Sequence, residues 1–444
     1  MLLRRAANTL VVSAINVNAF GSFVIRVTVI CTMFFSGNVS ILFKIADNDT
    51  GYDTHYRRRI IPDSYSVRQR QYCMSEISSF RRNGQRLAHL LLRRNRLLRI
   101  KRFIRFRNAQ RMLQLAEQEM RDQTTLVRSH PVYMNLDTGP LCNLQCKFCT
   151  TANGIGTLKR ELLKPDVFER IVKNLPLDSL YQVGLYNWGE PLLNPDLLSY
   201  IQFFAQRGIW TVIHTNFSVK EYDEAFMEAL IHSGIDDITA SVDGATQANY
   251  EKYRVGGNLE RVLANIGLLA RTKRRLKMDT PIITYKMMLN RFNEHEVDAA
   301  HEIASSLGVE FLVQETIGTP DDQTRAEWAA TFMLEQHGDI TISGIDKGRD
   351  DPVVTECRQM WDSLIVNADG AVFPCCIIHT PDSAVGNLTT QSFEEVWNGE
   401  KMQQLRRYAL DNNASAPRFP NSCASCSFRN CTYLNRKQLA KTSS

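Results

Sequence analysis

The chain reads as an α/β protein built on a parallel sheet or barrel. From Tyr133 onward short apolar runs alternate with amphipathic helical stretches, six such units can be counted, and glycines stand where several of the helices should stop. The strands are expected at 133–136, 181–186, 210–214, 237–242, 282–289 and 310–314. Helices follow around 166–174, 195–206, 221–232, 259–271 and 295–307, with Gly208, Gly234 and Gly308 as punctuation. In such a sheet ligands gather at the carboxyl ends of the strands, where loops vary without disturbing the core. The informative residues are therefore those just after each strand: 137–149, 187–191, Thr215 with Asn216, and Asp243 with Gly244. Internal repeats are not visible.

What precedes this region is different in kind. The 444 residues leave room for about three domains, and the net charge of +6 conceals a strong asymmetry. Residues 56–111 carry 16 Arg, one Lys and only two acids, Asp63 and Glu76, so the rest of the chain is acidic. Within that segment Leu87, Leu90, Leu91, Leu97, Leu98 and Ile104 recur at near-helical spacing, with Arg93, Arg94, Arg96, Arg102 and Arg105 interleaved. This pattern predicts a basic amphipathic helix. It suits contact with an anionic membrane surface, but a helix packed on the outside of the main domain is the simpler reading; no nucleic-acid module accompanies the charge. In residues 1–73 two uncharged, fairly apolar runs invite a signal-peptide or membrane-span reading, yet Arg26 interrupts them and several Asn and Ser dilute them. A start of the native protein at Met74, with 1–73 an uncertain extension, fits the pattern better.

The cysteines carry the chemistry. Eleven are present, nine of them at or after Cys142. Cys142, Cys146 and Cys149 form C-x3-C-x2-C directly after the first strand. Three soft thiolates on one short loop suit an iron-sulfur cluster or zinc, and a four-iron cube held by three of them keeps one iron open to a non-protein ligand. A zinc loop completed by a distant fourth ligand is the alternative. A second group, Cys357, Cys375, Cys376, Cys423, Cys426 and Cys431, surrounds a hairpin of 364–366 and 372–374 turned by Asn367, Asp369 and Gly370.

With its C-x3-C-x2-C loop, Phe148 before the last of those cysteines, and Trp188, Gly189, Glu190, Pro191 after the second strand, the sequence resembles the radical S-adenosylmethionine (SAM) superfamily. The resemblance implies a partial (β/α)6 TIM-like barrel at 131–315 whose cysteine loop carries a SAM-binding 4Fe-4S cluster. It places Gly189, Glu190 and Pro191 near the methionine amino group, and Asn216, Ser241 and Asp243 near the ribose. Trp188 stands where the family has the first glycine of its Gly-Gly-Glu-Pro element. The cysteine-rich region 357–435 is similar to the SPASM domain or its shortened Twitch form, joined by a polar connection at 316–356 and preceded by a basic helical region at 74–130. That likeness implies a small C-terminal auxiliary-cluster domain, with Cys357, Cys375, Cys423 and Cys426 holding a second 4Fe-4S cluster and Cys376 and Cys431 spare. Structural zinc on the same four is the alternative.

The chemistry so implied is hydrogen abstraction by a 5'-deoxyadenosyl radical, since an unactivated C–H bond lies beyond side-chain acids and bases. An electron donor such as flavodoxin or ferredoxin is expected. A fully ligated second cluster can accept an electron, which favours dehydrogenation of a small sugar-like or cyclitol alcohol. Peptide modification is the runner-up, and a non-catalytic iron-sulfur or zinc scaffold the reading from another class. Tyr186, His214, Lys286 and Glu315 are candidates for the barrel mouth, without an assignable acid-base role. Oxidant-sensitive clusters point to the cytoplasm.

Overall fold

The computed structural model describes residues 96–152, 160–314, 358–376, 378 and 380–410, with shorter stretches at 11–12, 15–17, 23–25, 28–33, 39–44, 324, 327–330 and 341–343. The chain divides into two compact units, 1–79 and 80–444. In the first, β1 (Val11–Val12), β4 (Thr28–Met33) and β5 (Val39–Lys44) form an antiparallel sheet, and β2 (Ile15–Val17) pairs antiparallel with β3 (Phe23–Ile25). The apolar runs of the N-terminus thus enter strands. No described helix is long and apolar enough to cross a membrane.

The second unit holds the parallel sheet. Its strands β6 (Tyr133–Leu136), β7 (Gln182–Gly184), β8 (Trp210–Thr215), β9 (Asp237–Ser241), β10 (Ile282–Met288) and β11 (Glu310–Gln314) fall within a residue or two of the expected runs, and all neighbours pair in parallel. Helices Pro165–Lys173, Leu197–Gln206, Glu224–His232, Leu259–Arg275 and Val297–Leu307 alternate with them. Local chemistry sets their ends: Asp223 and Asn258 accept a backbone N–H of the first turn, and Gly308 closes the last helix at φ 72°, a conformation that costs a residue without a Cβ nothing. The strands alternate strictly. Ile213, Ile238, Ala240, Tyr285 and Met287 join the outer core beneath the helices, whereas Trp210, Val212 and Ile282 form an inner cluster with Tyr181 and Tyr186.

Four strands extend the sheet beyond the six expected, one at one edge and three at the other. β12 (Thr341–Ser343) pairs in parallel with β11, inside the segment read as a connection; one apolar residue between two polar ones leaves no period to detect. On the other edge the hairpin of β13 (Ser363–Val366) and β14 (Ala371–Phe373) forms as expected, but β13 also pairs in parallel with β6 and β15 (Gly386–Asn387) extends β14. The sheet therefore runs β12-β11-β10-β9-β8-β7-β6-β13-β14-β15 without a break.

The basic segment does form a helix, Arg96–Arg121, but with the opposite sense to a conventional amphipath. Arg102 is buried beneath the barrel, its Nη2 donating to Asp236 Oδ2 at 2.8 Å, with the guanidinium 5.3 Å from the Trp210 ring. Arg105 donates to the backbone oxygens of Leu177, Leu180 and Arg207. Leu97 and Ile104, expected on the packed face, are 63% and 52% exposed. The carbonyls and the Asp236 carboxylate at the amino ends of the strands recruit arginine where an apolar face would have been rejected.

Candidate functional site

The loop after β6 carries the first three cysteines, near enough for the charges of their sulfurs to influence one another. Cys146 is buried, and Cys142 and Cys149 are half-buried; none forms a disulfide. Adjacent loops hold the stretch in shape: Gln145 and Lys147 donate backbone N–H bonds to Val255 and Tyr253, and Phe148 packs edge-on against Trp328 with ring centres 5.0 Å apart. Three nitrogens point at the sulfurs. Leu144 N lies 3.5 Å from Cys142 Sγ, Asn216 Nδ2 lies 3.6 Å from the same sulfur, and Arg254 Nη1 lies 3.6 Å from Cys146 Sγ. As thiols Cys142 and Cys146 are held protonated, burial pushing Cys142 up to about 11 and raising Cys146 as well. A cationic metal would release those protons, and N–H donors aimed at sulfur are what cluster thiolates require. In donor chemistry the three thiols suit an iron-sulfur group, while among the described residues no three such side chains converge to metal-holding distance as they stand.

The segment after β7 is locked to this loop. A Cβ on Gly189 would lie 1.8 Å from the Gly139 carbonyl oxygen, so only glycine can stand there, and Glu190 N donates to Leu141 O at 2.7 Å. Trp188, in the place of the family's first glycine, is tied in beside this approach, its N–H donating to Asp137 Oδ1 at 3.4 Å and its carbonyl accepting from Thr151 Oγ1 at 2.7 Å. The buried Glu190 carboxylate is fully engaged, accepting from Leu192 N, Thr215 Oγ1 and Asn216 N at 2.6 to 3.0 Å. It therefore positions the ends of β7 and β8 rather than presenting a free charge. Asn216 reaches the cysteine loop, and Pro191 begins the short turn that follows.

Beneath this segment lies a group that the sequence did not single out. The fully buried Asp137 accepts backbone N–H bonds from Gly139 and Trp188 through Oδ1, has the Gly189 N–H beside it, and is raised to about 6 by burial, which outweighs those donors.

Ser241 is buried at the end of β9, and Asp243 follows at φ 57°, an uncommon conformation for a residue with a side chain. The Asp243 carboxylate accepts from Arg254 Nε at 2.6 Å, from its Nη2 at 2.5 Å and from Met288 N at 2.6 Å. Burial works against the Arg254 charge, but Asp243 and the Cys146 sulfur more than restore it, so the guanidinium stays protonated. This makes Arg254 the link between the β9 end and the cysteine loop. Arg254 caps a short helix, Gln247–Tyr253, that was not among the helices expected from the sequence, and nothing in the sequence singled it out.

Inside the barrel, by strand alternation, stand Tyr186, His214 and Lys286. The Tyr186 and His214 rings stack at 4.0 Å. Burial, and then the Lys286 charge, hold His214 well below the usual imidazole range, and burial lowers Lys286 too. Glu315 lies outside the described residues.

In the C-terminal region Cys375 and Cys376 follow the hairpin and pack against Ile365, Phe373 and Ile378. A hydrogen bond from Cys375 brings the Cys376 thiol down to about 7. Cys357, Cys423, Cys426 and Cys431 lie outside the described residues.

Comparison with known proteins agrees with this architecture. Residues 136–304 match the radical SAM superfamily and residues 357–427 match SPASM, an iron-sulfur cluster-binding domain. The chain is 23% identical over 320 residues to the PqqA peptide cyclase of Gluconobacter oxydans, covering 67% of this chain and 83% of that protein. It is 28% identical over 173 residues to the GTP 3',8-cyclase of Alkaliphilus oremlandii, covering 37% of this chain and only half of that enzyme. In fold it is similar to Streptococcus suis SuiB crystallised with S-adenosylmethionine, at a TM-score of 0.51 and 14% identity over 70% of this chain and 75% of that one. These matches imply a 4Fe-4S cluster with S-adenosylmethionine in the barrel and auxiliary iron-sulfur clusters behind it. The chain belongs to the radical SAM superfamily and carries a C-terminal SPASM domain.

Proposed function

We propose that this enzyme abstracts hydrogen from a peptide substrate at the mouth of its barrel, with Cys142, Cys146 and Cys149 holding the cluster that binds S-adenosylmethionine. The observation that carries the ligand assignment is the set of N–H donors from Leu144, Asn216 and Arg254 aimed at two of those three sulfurs. Held by Cys142, Cys146 and Cys149, a cluster with S-adenosylmethionine would supply the radical chemistry that hydrogen abstraction needs.

The chain's own residues do the rest. Gly189 gives the ligand segment its close approach, Glu190 fixes the strand ends beside it, and Asn216, Ser241 and Asp243 flank the space expected for the nucleoside. His214, kept neutral and stacked on Tyr186, walls the lumen, while Lys286 offers a proton-exchanging group to the substrate. In the C-terminal domain Cys357, Cys375, Cys423 and Cys426 are proposed as auxiliary ligands.

The peptide reading rests on the PqqA peptide cyclase similarity, which runs through two thirds of the chain. Oxidation of a sugar-like or cyclitol alcohol, favoured from the cysteine count, is the second reading, supported by cysteines enough for one complete auxiliary set. The test is anaerobic reconstitution with S-adenosylmethionine and reductant, offering in parallel a precursor peptide encoded beside the gene and a cyclitol panel. A peptide losing two hydrogens by mass spectrometry, with matching 5'-deoxyadenosine, supports the proposal. Turnover of a cyclitol alone transfers it to the second reading, and unchanged 5'-deoxyadenosine formation after Cys142→Ala, Cys146→Ala or Cys149→Ala removes the ligand assignment.

A further inference from the structure

In the helix Arg96–Arg121 the buried Arg102 meets the barrel while a run of large apolar side chains faces away from it. Its inward stripe is Arg102, Ala109, Ala116, Glu119 and Met120, all buried. At 100° per residue the opposite stripe is Leu97, Ile100, Phe103, Ile104, Arg107 and Arg111. Leu97 is 63% exposed, Ile100 50%, Phe103 54% and Ile104 52%, and Arg107 and Arg111 are exposed in the two turns that follow. Four large apolar side chains in consecutive turns make a continuous patch, unlike the singly scattered apolar residues of an ordinary surface. The patch sits in the chain's basic segment, 16 Arg and one Lys against two acids over residues 56–111.

We infer that this face docks the enzyme on an anionic lipid bilayer, lying in the interface with Leu97, Ile100, Phe103 and Ile104 among the acyl chains and Arg107 and Arg111 at the headgroups. The pairing of chemistries selects this occupant. A nucleic acid would satisfy the arginines through its phosphates but offers nothing to Leu97, Ile100 and Ile104. A neutral apolar partner would leave the positive charge unanswered. An anionic bilayer meets both at once, apolar burial and attraction to acidic headgroups adding along one helix face. The exposed face from 97 to 111 is about 20 Å long, enough for an interfacial helix and too short to span. Arg102 and Arg105, occupied beneath the barrel, hold the helix in place so that docking needs no unfolding.

The test uses the full chain in flotation with vesicles of phosphatidylcholine alone or mixed with phosphatidylglycerol. Wild-type protein should partition onto the mixed vesicles at least about tenfold better than onto neutral ones, and lose that preference in high salt. The combined change Leu97→Ser, Ile100→Ser, Phe103→Ser, Ile104→Ser should weaken binding by about tenfold or more with far-UV circular dichroism unchanged. The separate pair Arg107→Glu, Arg111→Glu, which leaves the apolar turns intact, should also weaken it about tenfold. Binding that is indifferent to lipid charge, that survives both variants, or that appears only with single-stranded RNA would overturn the proposal.

Discussion

Replacing Arg102 with methionine should destabilise the barrel by about 3 kcal/mol, the low end of the range for stranding one partner of a buried ion pair. The low end applies because Asp236 keeps two other donors: Thr211 N at 3.0 Å and Thr211 Oγ1 at 3.3 Å both reach the same Oδ2. Asp236→Asn should cost as much or more, since among the described residues Arg102 Nε and Nη1 already lack partners and the carboxylate is the guanidinium's counterion. The double change Arg102→Met, Asp236→Asn removes both charges and should cost less than the sum of the two, a coupling of about 2 kcal/mol. Urea unfolding followed by tryptophan fluorescence is the direct assay, because Trp210 lies 5.3 Å from the guanidinium. If Arg102→Met costs less than about 1 kcal/mol, or the two changes are additive, the helix is a solvated attachment that Arg102 does not anchor to the barrel.

Three further outcomes are expected. Arg254→Met removes the N–H on the Cys146 sulfur and leaves Asp243 uncompensated, so the barrel cluster should titrate on the order of 50 mV more negative, the one-electron equivalent of a hydrogen bond worth about 1 kcal/mol; an unchanged or higher potential by electron paramagnetic resonance counts against it. Asp137, raised from 3.8 to about 6 in the folded chain, favours folding below the lower value and loses that contribution as pH climbs through the higher. Across that window metal-free protein should lose about 3 kcal/mol relative to Asp137→Asn, and a difference independent of pH would refute it. Lys286→Met should lower product formation by about 10²-fold while 5'-deoxyadenosine still forms, and a parallel loss of both would make Lys286 structural.

Much of the barrel was legible in the sequence because its strands are buried on both faces. Runs such as Trp210–Thr215 and Ile282–Met288 announce themselves by composition, and the helices between them by period and cap. The cysteine loop was legible because spacing along a chain survives folding. Partnerships across the chain were not. Nothing in the sequence pairs Arg254 with Asp243 and Cys146, or Arg102 with Asp236, since each depends on elements that meet only when the sheet closes. The basic helix shows the cost of reading period alone: its apolar residues recur correctly, yet the anchoring sites at the barrel base are carbonyls and a carboxylate. The strand β12 and the pairing of β13 with β6 escaped for a related reason, as edges are chosen by neighbours.

The pairing of β13 with β6 bears on how this protein can be divided. In sequence the cysteine-rich region looks detachable, a cassette behind a finished catalytic unit. In space β13 covers the flank of the very strand that launches the cluster loop, Ser363 to Val366 lying in register with Tyr133 to Leu136. Cutting the chain ahead of β13 would strip β6 of half its ladder and expose a row of unanswered amides beside the cysteines. The two metal-bearing regions are thus tenants of one continuous sheet, and a truncated barrel would be a sticky, open-edged fragment instead of a simpler enzyme.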